Sequence, residues 1–581
     1  MQGERDCKAG GRLFALAVGE WLLISAVFAA AGAWPAPDVN EAHYLSKARH
    51  AFDPSWCEGD FFLESRGAHG LFFRLLGPLA GTVSLATAAW IGRWAGWFCL
   101  AAGFRHAARP LLATAWQRLL AAAVFSLATR STTMAGEWLI GGCEAKVFAW
   151  AAVLAAWGDL VAGRWPRAWL VGGLAAACHP LVGGWMMIVT LLAAASCGGR
   201  LFLQSARRGD TEEIRANADN GWGMSAGTIG CLLGGIALAA IGFVPAVLLT
   251  AGVPAVTQAE AARIYVVDRL PHHLLPRAFH EGFITRHLLA VFLWAVVTAG
   301  LPASALKRRI VLVTLTAVGL SGLGWLIGLS EAIAPDRAYQ LLRYYWFRLG
   351  DGLVPLSLAV VTVAALWPTA APPAAPVSAG ELLPGRWRRG LQWSLVGLIF
   401  FDLVSQTGHW PLPWRQLTAR SDKHVAVSAW QDACDWIRNN TAPNAQFLTP
   451  RGASSFSWRA QRPEVVAWKN IPQEPEGIVA WRQRMLDCFS ADGSLRGMVR
   501  STVSLGQRRL EQVAHRYAAG YVIAPRAVVA EADFKLPQVY ANDGYVILQL
   551  SGAGEDKDSQ GMSLGQGEAK PPALNVERPG E

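Results

Sequence analysis

Long apolar stretches separated by short polar breaks fill the first 407 residues of this 581-residue chain. A helix needs about 20 mostly apolar residues to cross the hydrocarbon of a bilayer. The stretches 13–34, 84–104, 111–129, 145–163, 168–178, 181–198, 226–250, 284–304, 309–328, 351–367 and 391–407 approach or meet that length. The pattern predicts about eleven membrane helices. The fifth stretch is short. It reads either as a half-helix that breaks at His179-Pro180 or as one arm of a re-entrant pair with the sixth. The first stretch imitates a signal peptide. It is too long for one, no small-residue cleavage site follows, and it is expected to be the first membrane helix.

After Gln406 the pattern changes. Residues 425–439 have helical spacing, with Trp430, Cys434 and Ile437 on one side. Residues 446–448, 521–523 and 545–550 read as short strands. Helix alternating with strand predicts a small α/β domain over 408–551. The expected division is therefore a transmembrane domain, 1–407, then this domain, then a Gly-, Glu- and Ser-rich disordered tail, 552–581. The polar segment 199–225 is expected to connect helices in the cytoplasm, and the Ala- and Pro-rich segment 368–384 to be a flexible linker.

Composition supports the membrane reading. The chain is 53% hydrophobic and 16% charged, against about 25% charged in soluble domains. Its 27 Trp residues suit two membrane interfaces, where an indole keeps its N–H wet and its ring buried. The net charge of +10 does not point to nucleic acid, because basic residues beside membrane helices collect on the cytoplasmic side. With the N-terminus inside, the inner loops hold Arg105 and Arg109, Arg164 and Arg167, Arg200, Arg207 and Arg208, Lys307, Arg308 and Arg309, and Arg386, Arg388 and Arg389. An odd number of crossings then places 35–83 and 408–581 outside. Arg269, Arg277, Arg337, Arg343 and Arg348 also fall outside and are candidate anion ligands. The nine cysteines form no CxxC pair or zinc-type cluster. Cys434 and Cys488 share the outer domain, and a disulfide between them is left open.

The first outer loop, 35–83, carries Asp38, Glu41, Asp53, Glu58, Asp60 and Glu64. Desolvating a carboxylate near a bilayer costs several kcal/mol unless it is paired, so such acids need a reason. One reason is catalytic: a carboxylate takes the proton of an attacking hydroxyl. The other is local: Asp38 three residues before Glu41 resembles a capping box. The motif GGCEAKVFAW offers the same choice, with Glu144 and Lys146 as helix cap and snorkelling cation or as a phosphate-binding pair. His179 at its break is expected to satisfy freed backbone groups rather than bind metal. His272-His273, in RLPHHLLP, are expected to point apart on either kind of backbone and to grip substrate without sharing a metal. In DRAYQLLRYYWFRLGD, Arg343 and Arg348 among aromatics suit a lipid phosphate, or an aromatic belt at head-group level. Asp351 is expected to pair with Arg348 at helical spacing. No Walker loop, dinucleotide fingerprint or nucleophile elbow occurs. Nothing defines a metal site, so a divalent cation is optional.

The segment NEAHYLSKARHAFDPSW…GD, followed by HGLFF, resembles the first outer loop of the GT-C membrane glycosyltransferases. In that superfamily an acidic pair and an aromatic residue follow the first helix, then an amphipathic helix, a W-x-x-P-like turn and a second helix. Asn40-Glu41 falls where the pair belongs, with Tyr44 after it, Asp60 in the GD and His69 opening HGLFF. The first member of the pair is Asn instead of an acid. The plan of the whole chain is also similar to GT-C proteins. GGCEAKVFAW, RLPHHLLP and YYWFRLGD resemble a bacterial family of such membrane proteins, which implies no activity. The resemblance implies a polyprenyl-phosphate-linked sugar donor, used outside a bacterial inner membrane. It implies catalytic acids among Glu41, Asp38 and Asp60. With the residue readings above, substrate or phosphate contacts are expected among Tyr44, His69, Glu144, Lys146, His272, His273, Arg343 and Arg348. Two rivals stand beside this: a transporter or flippase of lipid-linked material, and a non-catalytic scaffold. Glu20, Arg93 and Asp159 lie in or near apolar stretches, without the repeat a transporter would favour.

Overall fold

The computed structural model describes residues 2–208, 225–368, 385–530 and 534–550. Most of the polar connector, the Ala/Pro linker and the tail fall outside the described residues. Each expected apolar stretch contains a helix: Gln2–Gly32, Leu85–Ala108, Ala115–Ser131, Ala145–Val161, Trp165–Cys178, Pro180–Arg208, Ala226–Leu248, Glu281–Ala299, Ala305–Leu329, Arg348–Leu366 and Gly385–Gln406. Among the described residues, 5 segments are long and apolar enough to cross a membrane on those grounds alone: Phe14–Gly32, Ala226–Leu248, Glu281–Ala299, Ala305–Ala332 and Arg348–Leu366. Large apolar side chains stand exposed on their outward faces, among them Leu233, Ile236, Leu288, Phe292 and Leu326. Such faces are unfavourable in water and at home in lipid. The chain is a multi-pass membrane protein.

The fifth and sixth helices are separate elements. His179 is extended between them (φ −149, ψ 103), because a residue before proline is driven out of the helical region. Gly235, in one of the Gly-rich stretches, lets helices touch backbone to backbone. A Cβ on Gly173 would run into its carbonyl, which is how small residues hold membrane helices together.

At one end of the bundle the buried carboxylates are closed by cations. Glu20 accepts from Arg118 at 2.5 and 2.9 Å and lies 3.0 Å from Arg105. Asp159 meets His106 at 3.0 Å and Arg164 at 2.8 Å.

The other end carries the loop 35–83, whose helices are Glu41–Phe52 and Gly70–Thr82. The C-terminal region sits on this loop. Trp410 donates to the Ala30 carbonyl at 3.0 Å, and the Ala68 N–H donates to Gln473 at 2.7 Å. Four strands, β1 (Phe447–Leu448), β2 (Tyr521–Pro525), β3 (Gln538–Ala541) and β4 (Tyr545–Gln549), form one sheet in the order β1-β2-β4-β3. The β1–β2 pair is parallel and the others are antiparallel. Side chains alternate between its faces. Ile523, Tyr545 and Ile547 pack with Trp430 and Cys434. Val522, Val546 and Leu548 pack with Trp481 and Cys488. The sheet therefore separates the two cysteines, both are free and buried, and the disulfide left open by the sequence does not form.

Candidate functional site

A cavity of about 830 Å³ opens between the loop end of the bundle and the C-terminal region. Its floor comes from Asn40 and Tyr44, the loop 132–144, the first turn of Ala145–Val161, His179 and Arg348. Its side comes from Tyr265 to His273, and its roof from residues of 418–424, 452–454 and 468–473. Six cations line it (Lys146, Arg269, Arg348, Arg420, Lys423 and Lys469) against two carboxylates, Glu137 and Glu144. Aromatic rings stand between them. The Trp138 ring lies 5.2 Å from the Lys146 ammonium and 5.1 Å from the Arg420 guanidinium.

Glu144 precedes the Ala145–Val161 helix but its side chain makes no cap hydrogen bond. It turns into the cavity, where Oε2 accepts from the Asn40 amide at 3.0 Å and lies 3.4 Å from Lys146 Nζ. Burial raises its pKa, and Lys146 and the Asn40 amide only partly oppose this. Glu137 is different. Burial would raise it, but Arg348 at 2.8 Å and Lys146 at 3.9 Å hold it below the usual carboxylate value. One cavity thus holds one carboxylate pushed up and one pushed down, the arrangement that separates a proton acceptor from a permanent anion.

Arg348 is stacked 3.9 Å from the Tyr345 ring centroid and its Nη1 lies 3.4 Å from His179 Nε2. His179 Nδ1 accepts from the Val182 N–H at 3.5 Å. His69 lies behind the wall. Its ring is 4.6 Å from that of His179, and Nε2 is 3.4 Å from the Tyr44 hydroxyl. Burial lowers the His69 pKa to about 4 and that of His273 to about 3, so both are neutral at pH 7. His272 and His273 occupy the single-turn helix Pro271–Leu274. The expectation that they point apart is overturned: their rings lie 4.1 Å apart, and both line the cavity.

The acids expected to be catalytic are engaged elsewhere. Both Glu41 oxygens bind Arg93, at 2.6 and 2.5 Å, and also accept from the backbone N–H groups of Cys143 and Asp38, each at 2.7 Å. Only half of the expected capping box forms, since the Asp38 carboxylate instead accepts from Arg420 at 2.5 and 2.6 Å. Burial works against the Asp38 charge, but Arg420 holds its pKa below the ordinary value. Asp60 accepts from the N–H groups of Phe62, Leu63 and Glu464 at 3.0, 2.9 and 3.0 Å and fastens the first loop to the C-terminal region. None of the three lines the cavity. Glu41 still serves the site, because holding the Cys143 N–H fixes the backbone one residue before Glu144. Gly142 makes this approach possible: a Cβ there would stand 2.8 to 2.9 Å from Glu41 and Asp38.

Arg343 also lies outside the cavity lining, 5.3 Å over its neighbour Tyr344, and Arg277 pairs with Glu331 at 2.9 Å. Asp351 does not pair with Arg348. It accepts from the N–H groups of Met134, Ala135 and Glu137 at 2.6, 2.9 and 3.3 Å, and so holds the loop that delivers Glu137 and Trp138. Among the described residues, no three His, Cys, Asp or Glu side chains gather in a group able to hold a metal ion.

Sequence reasoning did not single out Glu137, Arg420, Lys423 or Lys469. Glu137 had a usable signal, an acid beside Trp138 between two apolar stretches. Lys469 had none. It lies in the roof against the Val39 carbonyl, and burial lowers its pKa to about 7.

Residues 428–488 match a family model described as a domain of unknown function, DUF6798. No curated protein matches the chain. Among solved structures, the chain is similar to the arabinofuranosyltransferase AftD from Mycobacteria, at 14% identity and a TM-score of 0.41, over 92% of this chain and 41% of that one. The chain thus spans less than half the length of that neighbour.

Proposed function

We propose that this protein is a GT-C-like integral-membrane glycosyltransferase. It takes a sugar from a polyprenyl-phosphate donor on the extracytoplasmic face of a bacterial inner membrane, and Glu144 is its general base. One observation carries the reading: the Asn40 amide holds a buried, cavity-facing carboxylate. The loop resemblance expects an acid at position 40. Here the acid comes from the next outer loop, and position 40 orients it. Glu41 and Asp38 become positioning residues.

In this reaction the acceptor hydroxyl oxygen attacks the anomeric carbon, and the bond from that carbon to the donor phosphate oxygen breaks. The phosphate keeps the electron pair, and the proton passes to Glu144. A raised carboxyl pKa suits a group that must gain a proton in the transition state. Lys146 and Arg348 stand at helix beginnings, at the level where a lipid phosphate would lie, and stabilise the charge that develops there. Tyr44, Trp138 and Tyr345 offer ring faces to the sugar. The basic inner loops support this sidedness: if the chain crosses eleven times with those cations inside, the cavity faces outward.

The test uses the full chain in lipid nanodiscs supplied with polyprenyl-phosphate sugars and an acceptor pool. Glu144→Gln is expected to lower turnover by roughly 10²–10⁴-fold, the usual contribution of a positioned base, with donor binding and melting temperature kept. Full turnover in that variant removes Glu144 from the role. A wild-type protein that transfers no sugar but moves a labelled lipid phosphate across vesicles is a flippase instead.

A further inference from the structure

We infer that the mouth of the cavity is a separate anion site, which selects an acceptor bearing repeated phosphate or carboxylate groups along a saccharide or polyol chain. The word acceptor rests on the glycosyl-transfer reading; the anion binding does not. Four cations of the C-terminal region gather around His424: Lys423, Arg451, Lys469 and Arg500 are the charges that, after burial, hold its imidazole below the ordinary value. Lys423, His424 and Lys469 line the cavity.

The arrangement is built rather than incidental. The Arg451 N–H donates to the Arg500 carbonyl at 2.9 Å, and the Arg451 carbonyl accepts from the Trp468 N–H at 3.0 Å. Arg451 Nε donates to the Val499 carbonyl at 3.2 Å. These bonds tie three chain segments side by side, each bringing a cation. Gly452 lies directly under the His424 side chain, 3.0 Å from its Cβ to where a glycine Cβ would be.

The four differ from their neighbours in what they lack. Arg459, nearby, is closed by Asp422, and on the cavity floor Lys146 and Arg348 share Glu137. Among the described residues, none of the four rim cations has a carboxylate within ion-pair distance, and the side chains of exposed Lys423 and Arg500 make no hydrogen bond. Glu144 and Asp38 act on Lys469 without pairing with it, so the clustered like charges still repel, and a polyanion relieves this while a neutral sugar does not. Because the rim stands outside the floor that takes the donor phosphate, its anions belong to groups flanking the reacting hydroxyl. An acceptor with several charges in series can rest on the rim and still present a free hydroxyl to Glu144.

Binding is measured on full-length protein in phosphatidylcholine nanodiscs, with no donor present. The probes are a pentamer of galacturonate, a pentamer of glycerol phosphate and neutral maltopentaose. At least one anionic oligomer is expected to bind about tenfold tighter than maltopentaose, less so as salt rises; the tighter of the two names the anion. Lys423→Gln with Arg500→Gln is expected to lose about tenfold of that affinity, the scale of two partly exposed ionic contacts, without change in melting temperature. A wild-type protein that binds the anionic oligomer but transfers no sugar counts only against the glycosyl-transfer reading and leaves the rim site standing. Equal affinity for the charged and neutral oligomers, or an unchanged double variant, overturns the rim site.

Discussion

The two ends of the helical bundle use the same residue types to opposite effect. At the end holding Glu20 and Asp159, each buried carboxylate is met by at least two cationic or ionisable partners, Arg118 and Arg105 for one and His106 and Arg164 for the other. At the cavity end, Arg420 is closed by Asp38, and among the described residues the other five lining cations face two carboxylates across an open space. The first arrangement satisfies its charges internally and ties helices together. The second leaves positive charge uncompensated and a carboxylate within reach of solvent-borne ligands. The number of charges near a membrane surface therefore says little. Whether they are closed on each other separates a brace from a binding site.

That contrast is open to direct attack. Glu20→Gln should lower stability by about 3–5 kcal/mol, the cost of breaking a buried pair and stranding its partner, while turnover per folded molecule stays at the wild-type level. A thermal melt beside an activity assay checks both. If Glu20→Gln abolished turnover in folded protein, the two ends would not be functionally distinct.

A smaller effect should appear with pH. Lys469 has its pKa lowered to about 7 by burial, so its charge disappears as pH rises through that value. Affinity of the cavity for an anion should fall by about three- to tenfold between roughly pH 6 and 8, and Lys469→Gln should flatten the profile. The paired carboxylates of the other end predict no such step. The smallest effect concerns stability. Glu464 is raised to about 8 by burial and by Asp60, so the fold holds a proton that the unfolded chain releases near the ordinary carboxylate value. Folding takes up that proton between about pH 4.5 and 8, and stability should decline as pH rises through this window. A drop of a few degrees in melting temperature is expected, and Glu464→Gln should remove it.

The helices were legible because a long apolar stretch has few physical options near water. The strands at 447–448, 521–525 and 545–549 were legible from short β-branched and aromatic runs. The partners of charges were not. Asp38 and Glu41 looked catalytic because sequence shows acidity and hides neutralisation, and their arginines lie 382 and 52 residues away. Arg343 and Arg348 stand in one motif, yet only Arg348 reaches the cavity. The helix Pro335–Leu342 stops before Arg343, and left-handed Tyr345 (φ 56) separates it from the helix that Arg348 opens, so the two arginines share no helical surface. Asp351 was read as a local partner for Arg348, because spacing cannot reveal three backbone N–H groups arriving from 214 to 217 residues away. The roof was illegible for a related reason: Lys469 and Arg420 gain meaning only from the floor beneath them.

The grip of Asp38 on Arg420 has a consequence for how the molecule is made. The floor of the chamber is synthesised and inserted early, while its lid is still inside the ribosome. Until Arg420 has emerged and docked, the chamber stands open and Asp38 has no mate. A chain cut short before Arg420 would sit in the bilayer as an open basket.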